Sequence, residues 1–223
     1  MGLVEEALQR GQRALSEYDS KRLLASYGIP TTREILSTSP DEAVKAAEDL
    51  GYPVVLKGTH AELTHKTELG LVLLKLRTPD EVREGYRTIV ERAGQRALDG
   101  VLVQQMVSGS REFVIGLTRD AQFGPCVMFG LGGIFTEALK DTTFRVAPID
   151  RAEAREMLGE IRSKALLGPF RGEPEVDLDV LSDALVAIGQ IGLDHDEVKE
   201  IDINPLIIAD GKPVAVDALV ILG

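Results

Sequence analysis

The polar residues with the most suggestive spacing lie near the C-terminus, on both sides of a turn signal. Asp210-Gly211 is typical of a two-residue hairpin turn, and extended apolar runs flank it. A hairpin with this turn places Asn204 directly opposite Asp217. Directly opposed residues share a face of the sheet with Cβ atoms about 5 Å apart, so both side chains can reach one hard cation.

Alternation along the first of these strands adds acids to the same face. Asp202 and Glu200 precede Asn204 at every second position. Clustered carboxylates repel one another unless a cation neutralises them, and Asp217 stands between apolar neighbours. The pattern favours an Mg²⁺ site. The alternative is a solvated acidic face of the sheet.

Lys57 ends the apolar run PVVLK, where a buried ammonium needs a partner. Phosphate is a natural one, and the alternative is a lysine on the exposed edge of a sheet. The loop Gly58–Thr67 that follows adds His60, His65 and Lys66. No GxxxxGK[ST] sequence is present, so a phosphate grip here differs from a P-loop.

A second glycine-rich segment, Gly130–Arg145, contains Gly132 and Gly133 in succession. Consecutive glycines let backbone N–H groups approach an anion closely. The segment is predicted either to face a phosphate or to form a surface hairpin with ion pairs.

Helix and strand signals alternate along the chain and position these residues. The predicted helices are Ser16–Gly28, Ser39–Gly51, a helix opening at Thr78, Arg151–Leu166 and Leu178–Ile191. The predicted strands are Thr31–Leu36, Pro53–Lys57, Leu69–Leu76, Val101–Val107, Glu112–Thr118, Ile134–Leu139, Thr143–Val146 and two around Asp210-Gly211. We expect Val101–Val107 to pair with Glu112–Thr118 across a turn at Ser108-Gly109-Ser110. The order predicts an α+β fold with mixed sheets.

Composition limits the class of protein. A chain of 223 residues with 44% hydrophobic and 27% charged residues can form one large domain or two lobes with a real core. The net charge of −11 argues against a nucleic-acid surface. A single cysteine cannot form an internal disulfide, and neither a signal peptide nor a run of about 18 apolar residues is present. We therefore expect a cytoplasmic protein with no nucleic-acid or membrane partner.

Six ordered segments resemble a known family, the ATP-grasp subunits of ADP-forming acyl-CoA synthetases. They are SYGIPTT, PVVLK, THKTELG, VLVQQMV followed by a phenylalanine, GLGGIFTEALKDTTFR and EIDINPL. The resemblance implies two α+β lobes clasping ATP or ADP with Mg²⁺. It also implies a CoA-binding alpha subunit with a catalytic histidine as partner, in a hetero-tetramer.

The resemblance also implies roles for individual residues. Lys57 resembles the phosphate-binding lysine, and the backbone from Gln105 to Val107 resembles the hinge that binds the adenine edge. Glu112 resembles the acid that holds the ribose hydroxyls. The magnesium ligands implied are Asn204 and Asp217, with Asp202 assisting.

His65 and Lys66 match the family's His-Lys pair and are predicted to be catalytic. Imidazole accepts a phosphoryl group near neutral pH because a good fraction of it is unprotonated, and the adjacent lysine can neutralise charge in transit. The alternative is a histidine that only hydrogen-bonds a phosphate. His60 and His195 are predicted to be structural or exposed.

The predicted organisation is an N-terminal helical extension over residues 1–19, a small lobe over 20–104, and a large lobe over 105–223 that ends in the metal-binding hairpin. The predicted function is phosphoryl transfer between ATP or ADP and an enzyme phosphohistidine derived from an acyl phosphate. The chain would be part of an acid–thiol ligase that is active only with its partner. Two alternatives remain, a dicarboxylate–CoA ligase subunit similar to succinyl-CoA synthetase, and a nucleotide-sensing module without catalysis.

Overall fold

The structure is a computed structural model that describes residues 2–61, 69–133 and 139–223. Its contacts divide the chain into two compact units. The smaller unit comprises Ser16–Tyr18 and Thr32–Val107, and the larger comprises Met1–Leu15, Asp19–Thr31 and Ser108–Gly223. Each unit has its own hydrophobic core.

Helices are interspersed with strands, and all the strand pairs described are antiparallel, so the predicted mixed sheets are wrong. The helices are α1 (Leu3–Gln9), α2 (Glu17–Ser26), α3 (Pro40–Leu50), α4 (Pro79–Ala93), α5 (Arg151–Glu160) and α6 (Leu178–Asp194), and Lys164–Leu167 forms a 3-10 helix. The strands are β1 (Glu34–Ser37), β2 (Val54–Thr59), β3 (Val72–Leu76), β4 (Gly100–Gln105), β5 (Glu112–Asp120), β6 (Gly124–Leu131), β7 (Thr142–Val146), β8 (Val198–Ala209), β9 (Lys212–Ala215) and β10 (Leu219–Leu222).

The smaller unit is a four-stranded antiparallel sheet in the order β1-β4-β2-β3, against which α3 and α4 pack. Its helices begin where the sequence predicts. The Ser39 side chain accepts a hydrogen bond from the backbone N–H of Glu42, and Thr78 does the same for Glu81. Gly51 ends α3 with a φ of 88°, a conformation that glycine adopts without strain.

The larger unit contains a six-stranded sheet in the order β10-β8-β5-β6-β7, with β9 also paired to β8. Helices α5 and α6 pack against it. Helix α2 contributes Leu23 and Leu24 to the same core, together with the nearby Ile29, and these meet sheet residues such as Ile201 and Val220. Among the described residues, no helix is long and apolar enough to cross a membrane.

The pairing predicted between the strands now called β4 and β5 is wrong. Strand β4 pairs with β1 and β2, whereas β5 pairs with β6 and β8. Ser108-Gly109-Ser110 is therefore a connection and not a hairpin turn. Gly109 is required there for another reason, because a Cβ on it would lie 2.1 Å from the carbonyl oxygen of Ile208.

The helix predicted over Arg151–Leu166 is shorter than expected. It ends at Glu160, and a separate 3-10 helix follows. The Asp141 carboxylate accepts hydrogen bonds from the backbone N–H groups of Arg162 and Ser163, at 2.8 Å each. These bonds replace the intrahelical ones that would continue α5.

The contacts also divide the chain differently from the predicted boundaries at residues 19 and 104. Residues 19–31 belong to the larger unit, and the smaller unit extends to Val107. The physical reason is that the apolar face of α2 packs into the larger core, which no local signal in the sequence reveals. The predicted strand Ile134–Leu139 lies almost entirely outside the described residues.

We expect Leu24→Ala to destabilise the protein by about 2–5 kcal/mol, because the side chain is fully buried in the larger core. Leu193→Ala is the matched control, since Leu193 is an exposed leucine of the same unit. Thermal denaturation measures both. Equal midpoints for the two variants would contradict the packing of α2 in the larger unit.

Candidate functional site

The C-terminal hairpin has the predicted turn and register. Asp210 and Gly211 connect β8 to β9 with positive φ angles of 48° and 80°, as a tight hairpin turn requires. Ala209 pairs with Lys212 beside the turn. The same register continues where β8 pairs with β10.

Asn204 and Asp217 are therefore level with each other across the hairpin, as the sequence predicts. The ladders on both sides keep one register, and Asp202 pairs with Leu219 beyond them. Asp217 lies in the bend between β9 and β10, where its Oδ1 accepts the N–H of Ala218 at 2.9 Å. The structure thus brings the three predicted metal ligands to one part of the sheet.

The acids on this strand act on one another electrostatically. Ile201 and Ile203 are buried on one face of β8, which leaves Glu200 and Asp202 on the other. The pKa of Asp202 is raised to about 6, mainly by burial and in addition by the negative charges of Glu200 and Asp217. A cation beside Asp202 would remove this cost.

The chemistry of these side chains fits a magnesium ion that is shared with a substrate. Among the described residues, no three histidine, cysteine or acid side chains are close enough to bind one metal ion together. Glu200 is therefore not a third carboxylate ligand beside Asp202 and Asp217. Asp202, Asp217 and Asn204 offer two carboxylates and one amide oxygen. Mg²⁺ commonly takes one or two carboxylates and completes its octahedron with phosphate oxygens and water.

Glu112 and the glycine segment meet beside Asn204. The carbonyl oxygen of Glu112 accepts the N–H of Gly132 at 2.9 Å, and the N–H of Gly133 donates to Asn204 Oδ1 at 3.4 Å. A Cβ on Gly133 would lie 2.5 Å from Glu112 Oε2, and its φ is +69°. Only glycine allows the carboxylate, the loop backbone and the amide to approach this closely.

A cavity of about 560 Å³ opens at the same place. Its walls are formed by Ser110, Arg111, Glu112, Leu131, Gly132, Gly133, Leu139 and Leu166. Ligand sites of this size typically combine apolar walls with a few polar groups that fix orientation. Three leucines and one carboxylate therefore suit a nucleoside.

Lys57 is not on a sheet edge, so that alternative is wrong. It lies in the interior strand β2, where it pairs with Leu102 on one side and Val72 on the other. The residue is 5% exposed, and its Nζ donates to Glu17 Oε1 at 2.6 Å. The structure therefore supplies the charge partner that a buried ammonium needs.

Sequence reasoning missed Glu17. It lies 40 residues from Lys57 and resembles an ordinary acid at the start of helix α2. Its burial is the unusual property, because acids at helix starts are normally solvated. No local pattern in the sequence indicates that burial.

The predicted hinge begins at Gln105, the last residue of β4. The N–H of Gln105 donates to the carbonyl oxygen of Arg33 at 2.9 Å, and its side-chain Oε1 accepts from Arg33 Nε at 3.2 Å. Adenine recognition at this position would therefore use groups other than the Gln105 N–H. Val107 is half-buried at the end of the smaller unit.

The two predicted catalytic residues, His65 and Lys66, lie outside the described residues, which omit 62–68. His195 behaves as predicted for a structural residue, with Nε2 at 3.1 Å from the hydroxyl of Tyr27.

The C-terminal part of the segment Gly130–Arg145, beyond its glycines, forms ion pairs and hydrogen bonds, as the ion-pair alternative predicts. Arg145 forms a bidentate pair with Glu160, so its guanidinium already has a carboxylate partner. The neighbouring Asp141 carboxylate holds backbone N–H groups of residues 162 and 163. Residues 134–138 of this segment lie outside the described ones.

A family model described as an ATP-grasp domain matches residues 6–222. The chain belongs to the ATP-grasp family. The predicted α+β ATP-grasp fold is thereby confirmed.

This ATP-grasp chain is similar to a named enzyme subunit and to solved enzyme structures. It is 42% identical over 224 residues to the ADP-forming acetate–CoA ligase I subunit beta of Pyrococcus furiosus, covering 99% of this chain and 96% of that one. An acetyl-coenzyme A synthetase 1 of Ca. Korarchaeum cryptofilum, in complex with coenzyme A, Ca-AMPCP and HgCl+, superposes with a TM-score of 0.95 at 41% identity, covering 99% and 98% of the two chains. The same enzyme with coenzyme A and Mg-AMPPCP, its phosphohistidine segment pointing towards the nucleotide binding site, gives a TM-score of 0.88 at 42% identity and the same coverage. The predicted resemblance to acetyl-CoA synthetase beta subunits is confirmed.

Without divalent metal, we expect Asp202 to make the protein less stable as pH rises. Its pKa in the folded protein is about 6, above the reference value of 3.8, so the protonated form is favoured on folding. This contribution is present below pH 3.8 and is lost as pH rises through about 6. Asp202→Asn should therefore stabilise the metal-free protein at pH 7.5 by at most about 3 kcal/mol, and much less at pH 4.

Thermal denaturation in EDTA at both pH values measures the difference between wild type and variant. Asp49→Asn, which removes an exposed acid, is the control and should show no such pH-dependent gain. A gain from Asp202→Asn that is the same at both pH values would contradict the electrostatic origin.

Proposed function

We propose that the chain is the nucleotide-binding subunit of an ADP-forming acyl-CoA synthetase. The observation that carries this proposal is the close approach of Glu112, Gly133 and Asn204 beside one cavity, with Asp202 and Asp217 on the same part of the sheet as Asn204. This arrangement occurs in a chain that matches a named acetate–CoA ligase beta subunit over 99% of its length. The smaller unit corresponds to the small lobe of the fold, and the larger unit to the large lobe.

In the larger unit, Glu112 accepts hydrogen bonds from the ribose hydroxyls. The carboxylate stands at the cavity wall beside three leucines, so the sugar is held by charge-assisted bonds while its base lies against apolar groups. Asp202, Asn204 and Asp217 hold Mg²⁺, which supplies neutralisation of phosphate charge when it is bound. The raised pKa of Asp202 supports this role, because a cation stabilises its ionised form.

In the smaller unit, Lys57 binds phosphate oxygens, and the backbone from Gln105 to Val107 binds the adenine edge. Lys57 is fixed in the interior of its sheet and already faces a carboxylate, Glu17, at 2.6 Å. A phosphate oxygen therefore shares the ammonium with Glu17 or displaces it. The contact with Glu17 holds the ammonium in one orientation when no nucleotide is bound.

Phosphoryl transfer proceeds through His65. Its imidazole nitrogen attacks the γ-phosphorus of ATP, an N–P bond forms as the P–O bond to ADP breaks, and Lys66 balances the charge in transit. In the ATP-making direction the phosphohistidine returns the group to ADP. A solved enzyme similar to this chain is described with its phosphohistidine segment pointing towards the nucleotide binding site, which supports phosphoryl transfer between nucleotide and histidine.

The partner is a CoA-binding alpha subunit that carries its own catalytic histidine, in a hetero-tetramer with this chain. The matched Pyrococcus furiosus chain is named a beta subunit, which implies a partner chain. In this scheme an acyl phosphate forms on the partner and its phosphoryl group passes to histidine. The chain is then active as an acid–thiol ligase only in the complex.

We expect MgATP and MgADP to bind the isolated chain with micromolar affinity, about −8 kcal/mol. Asp217→Asn should weaken binding at least about tenfold in magnesium and little in EDTA, because only a charged ligand of the cation is lost. The substitution keeps the oxygen that accepts the N–H of Ala218. Calorimetry measures both conditions.

Asp210→Asn, at the tip of the same hairpin, is the matched control because asparagine tolerates the positive φ found there. It should bind like wild type. Loss of equal size in magnesium and in EDTA would show that Asp217 supports the fold and not the metal.

We expect His65→Ala to slow acyl-CoA-dependent ATP synthesis by the assembled complex at least about 10²-fold, since the phosphoryl acceptor is removed. Nucleotide binding should stay within several-fold of wild type, because the other ligands remain. His60→Ala, in the same loop, is the control and should retain most activity. Parallel loss of binding and activity in the His65 variant would assign it to phosphate binding instead.

A further inference from the structure

One guanidinium is fully buried next to the cavity. Arg111 immediately precedes Glu112 and is 1% exposed. Its Nη1 donates to the carbonyl oxygens of Leu166 at 3.0 Å and Gly168 at 3.1 Å, and its Nη2 donates to that of Pro174 at 2.6 Å. All of these partners belong to the larger unit.

A carboxylate completes the shell around this cation. Arg111 Nε donates to Glu173 Oε2 at 3.1 Å, and the N–H of Ser110 donates to Glu173 Oε1 at 3.2 Å. The backbone is held as well, because the carbonyl oxygen of Arg111 accepts the N–H of Ile208 on β8. A buried guanidinium with this many partners is rigid.

The partners of Arg111 form one wall of the cavity. Leu166 lines it, and the segment from Gly168 to Pro174 is irregular apart from one bridge between Phe170 and Glu173. Irregular segments have few regular backbone bonds to hold them in place. Arg111 therefore connects this wall to the start of β5, the strand that carries Glu112.

We infer that Arg111 is a positioning residue for nucleotide recognition, which sets the distance between the Leu166 wall and the Glu112 carboxylate. The inference rests on the proposed function, because it assumes that the cavity holds the nucleoside. Binding groups need placement within about 0.5 Å to act on a ligand, so a loosened wall weakens recognition of the sugar and base. Recognition of the phosphates depends on other residues and is unaffected.

The same strand offers a matched control at its other end. Arg119 Nε donates to the carbonyl oxygen of Val198 at 3.0 Å, and its Nη2 donates to those of Gly192 and His195. Arg119 is thus, like Arg111, a guanidinium that binds backbone carbonyl groups, but it is only partly buried. None of its partners lines the cavity.

The experiment compares Arg111→Lys with Arg119→Lys. Calorimetry measures the Kd for MgATP, for Mg-2′-deoxyATP and for magnesium tripolyphosphate, and a thermal scan measures stability. Both variants should lower the thermal midpoint. Only Arg111→Lys should weaken MgATP binding, by about tenfold, and bring the ratio of the 2′-deoxyATP Kd to the ATP Kd down toward one. Tripolyphosphate binding should be unchanged in both.

Two further variants serve as references for the change in the ratio of the two Kd values. Glu112→Gln should lower the same ratio by direct loss of the ribose contact. Glu173→Gln removes only one anchor of the guanidinium, so it should lower the ratio by a smaller factor, and it serves if Arg111→Lys does not fold.

The outcomes separate this inference from the function on which it rests. If wild type binds MgATP and discriminates against 2′-deoxyATP, but Arg111→Lys and Glu173→Gln keep that discrimination, the positioning role is overturned and the nucleotide function stands. If wild type binds both nucleotides equally, the ribose role of Glu112 and this inference both fail. If wild type binds no nucleotide, the proposed function itself fails.

Discussion

The register of strand β8 is the constraint on which the candidate site depends. This 12-residue strand pairs with β5, β9 and β10, so its position sets three neighbours at once. A shift by one residue would turn Asp202 and Asn204 towards the apolar core and bring isoleucines to the open face. The buried residues Ile201 and Ile203 oppose that shift, because it would expose both isoleucines to solvent and bury polar side chains in their place.

The same register creates an electrostatic cost that the fold alone does not explain. Burial of Asp202 beside Glu200 and Asp217 makes its ionised form unfavourable. A sheet selected only for stability would place neutral or opposite charges here, as cross-strand pairs usually do. Local conflict with stability is typical of functional sites, where a ligand supplies the missing partner. The raised pKa of Asp202 therefore favours the proposed Mg²⁺ site over a solvated acidic face as the interpretation of this group.

Two buried cations connect parts of the chain that are distant in sequence. Lys57 is paired with Glu17 in the smaller unit, and Arg111 is enclosed by three carbonyl groups and Glu173 in the larger. Removing one member of such a set leaves an uncompensated buried charge, which is far more destabilising than the pair is stabilising. These contacts make the positions of their backbones specific. A lysine in place of Arg111 would keep the charge but lose the fork of donors that reaches these partners.

The sequence by itself determined the features that depend on neighbouring residues. The turn at Asp210-Gly211, the opposition of Asn204 and Asp217, and the caps at Ser39 and Thr78 follow from backbone geometry over a few positions, and the structure agrees with each. The family followed from several such motifs in one order.

Only the tertiary structure decided what depends on distant parts of the chain. The sheet assignment of β4 and β5 could not be predicted, because adjacency in sequence favours a hairpin while each strand finds more apolar surface in a different core. Glu17 became the partner of Lys57, and Arg111 became the anchor of a cavity wall, through contacts across 40 and 55 or more residues. Burial and charge pairing at such separations arise from packing of whole elements, which no window of sequence contains.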